Sequence, residues 1–450
     1  MKNSEQKPYG NHLIPLHSRN SLSGNHHIDS VMRIRIVPMA LAMLIIIHSA
    51  GCLQAESENQ EHSPSDEHTY EITISAGAFD RTGTIVSFPL PDEATPGHYS
   101  MQSDQGAAIS VQVDENNTGW VVLEALPAGT TETFRLNTGA DRQSQIGTAV
   151  TKETDHNTIT FQENGRPVLS YFHQNNEPPE ELDERYRRSG YIHPVYSPGG
   201  VILTTHLNVD GHPHHSGIWS AWTNTEFDGR TPDFWNVHQN TGRVDADTMY
   251  QTWSGPVHAG FRSRHTFTDL SADEPVTALN EAWDVRVYRT PESPEIHLFD
   301  LTITQTVNSG KPLLLPEYRY GGVGFRGHKD WDDPENSFFL TSDGLGRDGH
   351  GTRARWSHIG GHSDGELAGI AILGHPANYR APQTMRIHPD EPFFNFAPTQ
   401  LGNMAIEPGS PYITKYRYVT YDGDPDAGLI DQLWYDFAYP PGVTVRRAGD

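Results

Sequence analysis

The sequence predicts an all-β protein: a large antiparallel β-sandwich preceded by a small N-terminal β-module. Three observations carry that prediction. Gly 41 and Pro 32 in a chain of 450 residues supply the turns that many short strands need and long helices do not. Strand-like segments recur from Tyr70 onward. In one of them Phe299, Leu301 and Ile303 alternate with Asp300, Thr302 and Thr304, the period of a strand with one buried face. Only two stretches look helical. One is short, around Pro179–Arg188. The other is "DPDAGLIDQLWYDFAYPP", where Leu429, Ile430, Leu433, Trp434 and Phe437 share a face, Asp424 can cap and Pro425 suits the first turn.

Residues 1–51 read as a leader. Basic "MRIR" at Met32 precedes the apolar run 36–47, "IVPMALAMLIII", and then "SAGC". A bilayer span needs about 20 residues, so this run is the core of an export signal. Cys52 stands where a bacterial lipoprotein is cut and lipidated, with a plain soluble signal cut nearby as the alternative. Residues 1–31 are polar and patternless, which makes Met32 a candidate true start. Cys52 is the only cysteine, so no intrachain disulfide forms. Residues 52–68 are an acidic linker without periodicity.

Residues 69–155 hold short strand candidates such as "YEITIS", "TIVSFPL" and "GWVVLEAL" and form the expected N-terminal module. Residues 156–450 hold longer ones, among them "LNEAWDVRVYR" and "EIHLFDLTITQTV". Strands of that length suit a large antiparallel sandwich. A net charge of −25 excludes nucleic acid and anionic membrane surfaces as partners, since both need basic patches. The only membrane contact expected is the lipid anchor. Such charge leaves a neutral substrate such as a sugar open. No P-loop, Rossmann glycine pattern or nucleophile elbow is present.

The densest chemistry lies in "HLNVDGHPHHSGIWSAW", from His206 to Trp222. Pro213 keeps His212 extended, so His212 and His214 are expected on one side and His215 on the other. No cofactor is predicted, but His212 and His214 are the pair a divalent metal would use, given a third ligand from elsewhere. The same imidazoles suit acid/base work, because neutral imidazole both donates and accepts near pH 7. A turn whose histidines satisfy buried backbone groups is the plainer alternative. Trp219, Trp222 and Trp235 are either core or platforms for a sugar ring.

Two further stretches are candidates. In "LPEYRYGGVGFRG", Glu317, Arg319 and Arg326 flank a glycine bend, and Glu317 is a possible base beside a histidine acid or one half of a structural pair. In "LGHPANYRAPQTMRIHPDEPFFNFAP", His375, Asn378, Arg380, Arg386 and Asn395 sit among prolines, and Arg386 can hold carboxylate or hydroxyl oxygens.

Two resemblances add to this reading. "SAGAFDRTGTIVSFPLP" and "GAAISVQVD" resemble small N-terminal β-modules of secreted polysaccharide-processing proteins. "SGYIHPVYSPGGVILT", "DGHPHHSGIWSAW", "DFWN", "YGGVGFR" and "GIAILGHPANYRAPQTMRI" follow in order the pattern of the PmoA-like family, labelled "methane oxygenase PmoA", over roughly residues 160–440. This chain departs from that pattern at Gly211 and Ser216, which flank the histidines, and at Gly374. The resemblance implies a galactose-mutarotase-like supersandwich in which histidines and a carboxylate on a concave sheet move protons on sugars.

The expectation is therefore an exported carbohydrate-active enzyme, an epimerase, lyase or hydrolase. His212, His214, His215 and Glu317 are the candidate catalytic residues. Trp219, Trp222, Trp235, Arg326, His375, Asn378 and Arg386 are the candidate substrate contacts. A non-catalytic glycan-binding surface lipoprotein and a metal-dependent oxidoreductase are the alternatives, the latter following the family label.

Overall fold

The computed structural model describes residues 68–449 apart from 92–93, 105 and 139–148. The leader, Met32, Cys52 and residues 52–67 of the linker lie outside the described residues. Among the described residues Ala427–Ala438 is the single α-helix, with strands making up most of the rest. No helix there is long and apolar enough to cross a membrane.

The N-terminal module is a seven-stranded sheet. Its order is Arg81–Pro89, Thr118–Leu126, Ala108–Val113, Gly97–Ser103, Thr131–Thr138, His68–Ser75 and Gly442–Arg447. Tyr70, Ile72 and Ile74 alternate inward along His68–Ser75, as period two requires. The last strand comes from the far end of the chain: Ile72 pairs with Val445 on one side and Phe134 on the other. Conversely, Val150–Thr154, assigned from sequence to the module, is an edge strand of the sandwich and pairs with Thr158–Glu163. Two short β-segments separated by a tight turn form a hairpin, so Val150–Thr154 follows its neighbour into that sheet.

Two eight-stranded sheets form the sandwich. The sheet that carries the candidate site runs Met385–Ile387, Phe393–Phe396, Gly322–Arg326, Ile218–Ala221, Tyr191–Val195, Arg166–Phe172, Thr158–Glu163 and Val150–Thr154. The facing sheet runs Gly242–Trp253, His258–Asp269, Val276–Tyr288, His297–Thr306, Tyr412–Asp422, Glu366–Gly374, Trp356–Ser363 and Ser337–Thr341. All pairings in both sheets are antiparallel. Phe161, Tyr171, Ile218, Phe325 and Phe394 meet Phe261, Trp283, Phe299, Leu301, Ile303 and Tyr418 in one core between the sheets. Phe299, Leu301 and Ile303 are buried while Asp300, Thr302 and Thr304 are not, as their alternation predicts.

The helix begins later than its sequence suggests. Asp426, rather than Asp424, is the N-cap, and its side chain accepts from Leu429 N. Pro425 therefore precedes the helix. Around Pro179–Arg188 only the short 3₁₀ turn Glu184–Tyr186 forms. Asp436 on the helix ties it to the module: Arg81 Nη1 donates to Asp436 Oδ1 over 2.7 Å, and both side chains are 2% exposed. Thr84 adds a second bond at 2.8 Å.

Candidate active site

His212, Pro213, His214 and His215 form a turn in which His215 N donates to His212 O over 2.9 Å. Proline at the second position favours such a turn. The extended backbone expected there is therefore corrected, and the three rings crowd together instead of splitting between two sides. Ring centroids are 4.9 Å apart for His212 and His215, 4.5 Å for His214 and His215, and 5.4 Å for His212 and His214. Gly217 then turns the chain into the strand Ile218–Ala221. Its φ is +54°, and a Cβ there would stand 2.1 Å from Ile192 O, so this position requires glycine.

The turn opens on a cavity of about 220 Å³ lined by His212, His214, His215, His238, His388 and Glu391, with Arg319, Arg386, Trp235, Asn236, Tyr320 and Phe393. The site is assembled from the ends of neighbouring strands. Gly322–Arg326 lies between Ile218–Ala221 and Phe393–Phe396, and Met385–Ile387 lies beyond. The segment from Arg386 to Phe393 thereby meets the histidine turn from a different part of the chain. Asp233 shapes another wall by accepting from Trp235 N and Asn236 N at 2.9 and 2.8 Å.

His215 is packed between Trp219 and Phe393, each centroid 5.0 Å away. Its Nδ1 is buried and has no hydrogen-bond partner among the described residues. Glu391 Oε1 lies 2.9 Å from His212 Nδ1, in an orientation that does not make a hydrogen bond. Arg326 donates to Glu391 through Nη1 and to Asp332 through Nη2, the latter over 2.6 Å. Burial opposes charge on Glu391, but His212 and Arg326 outweigh it and bring the carboxyl down to about 2. Burial, reinforced by neighbouring cations and imidazoles, brings His214 down to about 3 and His215 well below its ordinary value. Both are neutral at pH 7. His388 Nδ1 accepts from Glu391 N and Asp390 N at 3.0 and 3.3 Å. A neutral His388 ring therefore carries its proton on Nε2.

The residues nominated from sequence divide sharply. His212, His214, His215, Trp235 and Arg386 line the cavity. Arg326 lies behind it, holding Glu391. Trp219 is fully buried and supports His215 from beneath. Trp222 is core: its Nε1 donates to Gln305 Oε1 over 2.9 Å, and it packs under Gly321 and Gly322. Glu317 is exposed and away from the cavity. His375 lines a different cavity with Asp300, Lys415 and Arg417. Asn378 clamps the backbone of Lys415, donating to its O and accepting from its N. Arg380 donates to Pro398 O and Gly402 O, and Asn395 to Gly321 O. The structure thus does not bring Trp222, Glu317, His375 or Asn378 to the histidines, because each is consumed by packing, exposed or on another face.

Sequence reasoning missed Glu391, His388, His238 and Tyr320. Glu391 and His388 lie in "RIHPDEPF" and His238 in "FWNVHQN". The available signal was polar residues between prolines beside a β-segment, which resembles any loop.

Donor atoms of His212, His215 and Glu391 lie within 4.8 Å of one another. Two imidazoles and a carboxylate are a donor set that zinc or iron accepts. A metal held here would take Glu391 as its third ligand, with His215 in place of the His214 expected from sequence.

A family model, "Family of unknown function (DUF6807)", matches residues 158–435. The chain belongs to this family. That match corrects the likeness to the PmoA-like family, and the oxidoreductase reading that hung on its label loses its basis. No curated protein matches the chain. Among solved structures, an α-mannosidase from Enterococcus faecalis V583 is similar at 10% identity and TM-score 0.37, over 85% of this chain and 46% of that one. A glycosyl hydrolase family 38 protein from Enterococcus faecalis is similar at 10% identity and TM-score 0.34, over 85% and 48%. A GalM/aldose epimerase homologue from C. elegans is similar at 9% identity and TM-score 0.25, over 62% of this chain and 100% of that one. The chain spans about half the length of the first two. Similarity at these scores assigns no activity to this chain.

Proposed function

We propose that the cavity is the active site of an exported, carbohydrate-processing enzyme that works by histidine-centred acid/base chemistry. The observation that carries this reading is the convergence of His212, His214, His215, His238 and His388 with Glu391 on one small cavity. His214 and His215, both neutral, are in the form that can accept a proton. His388, with Nδ1 occupied by backbone N–H groups, offers Nε2–H as a donor. Glu391 sits against His212, its Oε1 2.9 Å from Nδ1, which sets a carboxylate beside a ring that can pass a proton.

A cavity of about 220 Å³ is smaller than the roughly 300–1,000 Å³ of a drug-sized ligand site and suits a single sugar ring. Tyr320, Trp235 and Phe393 supply apolar wall beside the polar groups. Glu391 is the one carboxylate among the described lining residues. Glycoside hydrolysis of the common kind uses two, so the lining favours epimerisation or elimination. Export through the leader and attachment at Cys52 complete the reading.

The test is turnover on a glycan panel followed by mass spectrometry. His214→Ala and His215→Ala are each expected to lower turnover about 10²–10⁴-fold while circular dichroism stays unchanged. Glycan binding without any product, across pH and added metal, rejects catalysis and leaves a glycan-binding lipoprotein.

A further inference from the structure

The cavity holds two cations to which acid/base chemistry assigns no task. Arg319 sits on the loop before Gly322–Arg326, and Arg386 is the middle residue of Met385–Ile387. Both line the cavity with the histidines. Some arginines of the sandwich are matched by carboxylates, Arg417 by Asp300, Arg262 by Asp284, and Arg326 by Glu391 and Asp332, while Arg188, Arg353 and Arg380 donate to backbone oxygens instead. Arg319 and Arg386 have no carboxylate of a described residue within 4.0 Å.

Arg319 Cζ rests over Tyr318 and Tyr320, 5.9 and 5.5 Å from the ring centres. Arg386 Nη1 has only His350 Nε2, at 3.5 Å, and its buried Nε has no partner. Burial and the nearby charge of Arg319 both push the Arg386 guanidinium down. Glu391 offsets that push on Arg386 only in part, because its ion pair is with Arg326, itself 1% exposed. In a chain of net charge −25, two unmatched guanidiniums on one concave wall are conspicuous. Arg319 is exposed and Arg386 half-buried; holding a second like charge beside the half-buried one is unfavourable, and a ligand anion relieves it. The guanidinium fork matches the two oxygens of a planar carboxylate.

We infer that the ligand is an acidic sugar, a uronate whose carboxylate is held by Arg319 and Arg386. This rests on the reading of the cavity as an acid/base site and names its substrate class. Pairing the carboxylate with two cations eases ionisation of the C–H on the adjacent ring carbon, because the developing enolate charge is met by fixed donors. A neutral imidazole takes that proton. The electron pair then either accepts a proton on the opposite face, which inverts the carbon, or forms a C=C bond. In the second course the neighbouring C–O bond breaks and the departing oxygen takes a proton from the acid. Neither course needs an oxidant or reductant.

The experiment titrates the full chain with methyl glucuronide, methyl glucoside and a 6-sulfated methyl glucoside by calorimetry. The glucuronide is expected to bind at least tenfold tighter than the glucoside. Arg319→Gln and Arg386→Gln are each expected to weaken the glucuronide about tenfold and leave the glucoside unchanged, with unaltered melting temperature. Equal binding of glucuronide and glucoside, no binding of either, or insensitivity to both arginine variants overturns the inference. Tighter binding of the sulfated sugar also overturns it, by moving the anion from carboxylate to sulfate. Glu317→Gln lies outside the cavity and is expected to keep glucuronide binding. Uronate binding with no product from any glycan sinks the catalytic reading alone. Turnover confined to neutral glycans sinks the uronate alone.

Discussion

Two histidine–glutamate clusters in this molecule have opposite characters. His265 and Glu281, 0% and 1% exposed, lie between the two sandwich sheets. There every polar atom is matched. His265 Nδ1 lies 3.0 Å from Glu281 Oε1 and its Nε2 2.7 Å from Tyr171 Oη, while Trp283, Ser220 and Gln305 each donate to Glu281 over 2.6 Å. The second cluster, His212, His215 and Glu391, leaves Nδ1 of both imidazoles without a hydrogen bond and faces a cavity. The residue types are the same, and the accounting of partners differs. A saturated network in a dry core specifies packing. An unsaturated one beside open space is equipped to act on something else.

The largest test of this contrast is Glu281→Ala. It strands His265, Ser220, Trp283 and Gln305 in the core and is expected to cost about 3–5 kcal/mol in denaturant unfolding. A loss below about 1 kcal/mol makes the buried network dispensable and removes the contrast. Glu391→Gln comes next. Arg326 keeps Asp332, so stability falls by less than about 2 kcal/mol, while turnover is expected to drop a hundredfold or more. Wild-type turnover in this variant places the chemistry elsewhere.

A smaller effect comes from pH. Burial brings His358 down to about 3 and His206 to about 4, against an ordinary 6.5. Below 6.5 the unfolded chain takes up protons that these buried rings refuse. Their contribution is complete above that pH and drains away as pH falls toward the folded values. The melting temperature should decline steadily from about pH 6.5 to about pH 4; a flat calorimetric profile contradicts neutral burial. The smallest effect is Glu317→Gln, an exposed side chain outside the cavity. It should shift stability by no more than about 0.5 kcal/mol and leave turnover intact. Lost turnover there would return the sequence-nominated carboxylate to the mechanism.

Some of this was legible from residue order. Phe299, Leu301 and Ile303 announce a strand with a buried face, and the glycines and prolines announce many turns. His212, His214 and His215 announce a site by density alone. Other parts were not. The N-cap slips from Asp424 to Asp426 because capping depends on which carboxylate reaches a free backbone N–H, here that of Leu429. The pairing of Gly442–Arg447 with His68–Ser75 joins opposite ends of the described chain, and no local pattern encodes such a partner.

Composition and periodicity by themselves determined the β-architecture, because alternation of apolar residues is a local property that burial of one face rewards wherever the strand goes. They also located the histidine turn. Only the tertiary structure decided which groups that turn would meet. Strand order carries Glu391, His388 and Arg386 to it and takes Glu317, His375 and Asn378 elsewhere. Charge, proton affinity and partner count at a site follow from distance between side chains, and distance is set by packing across segments that lie far apart along the chain.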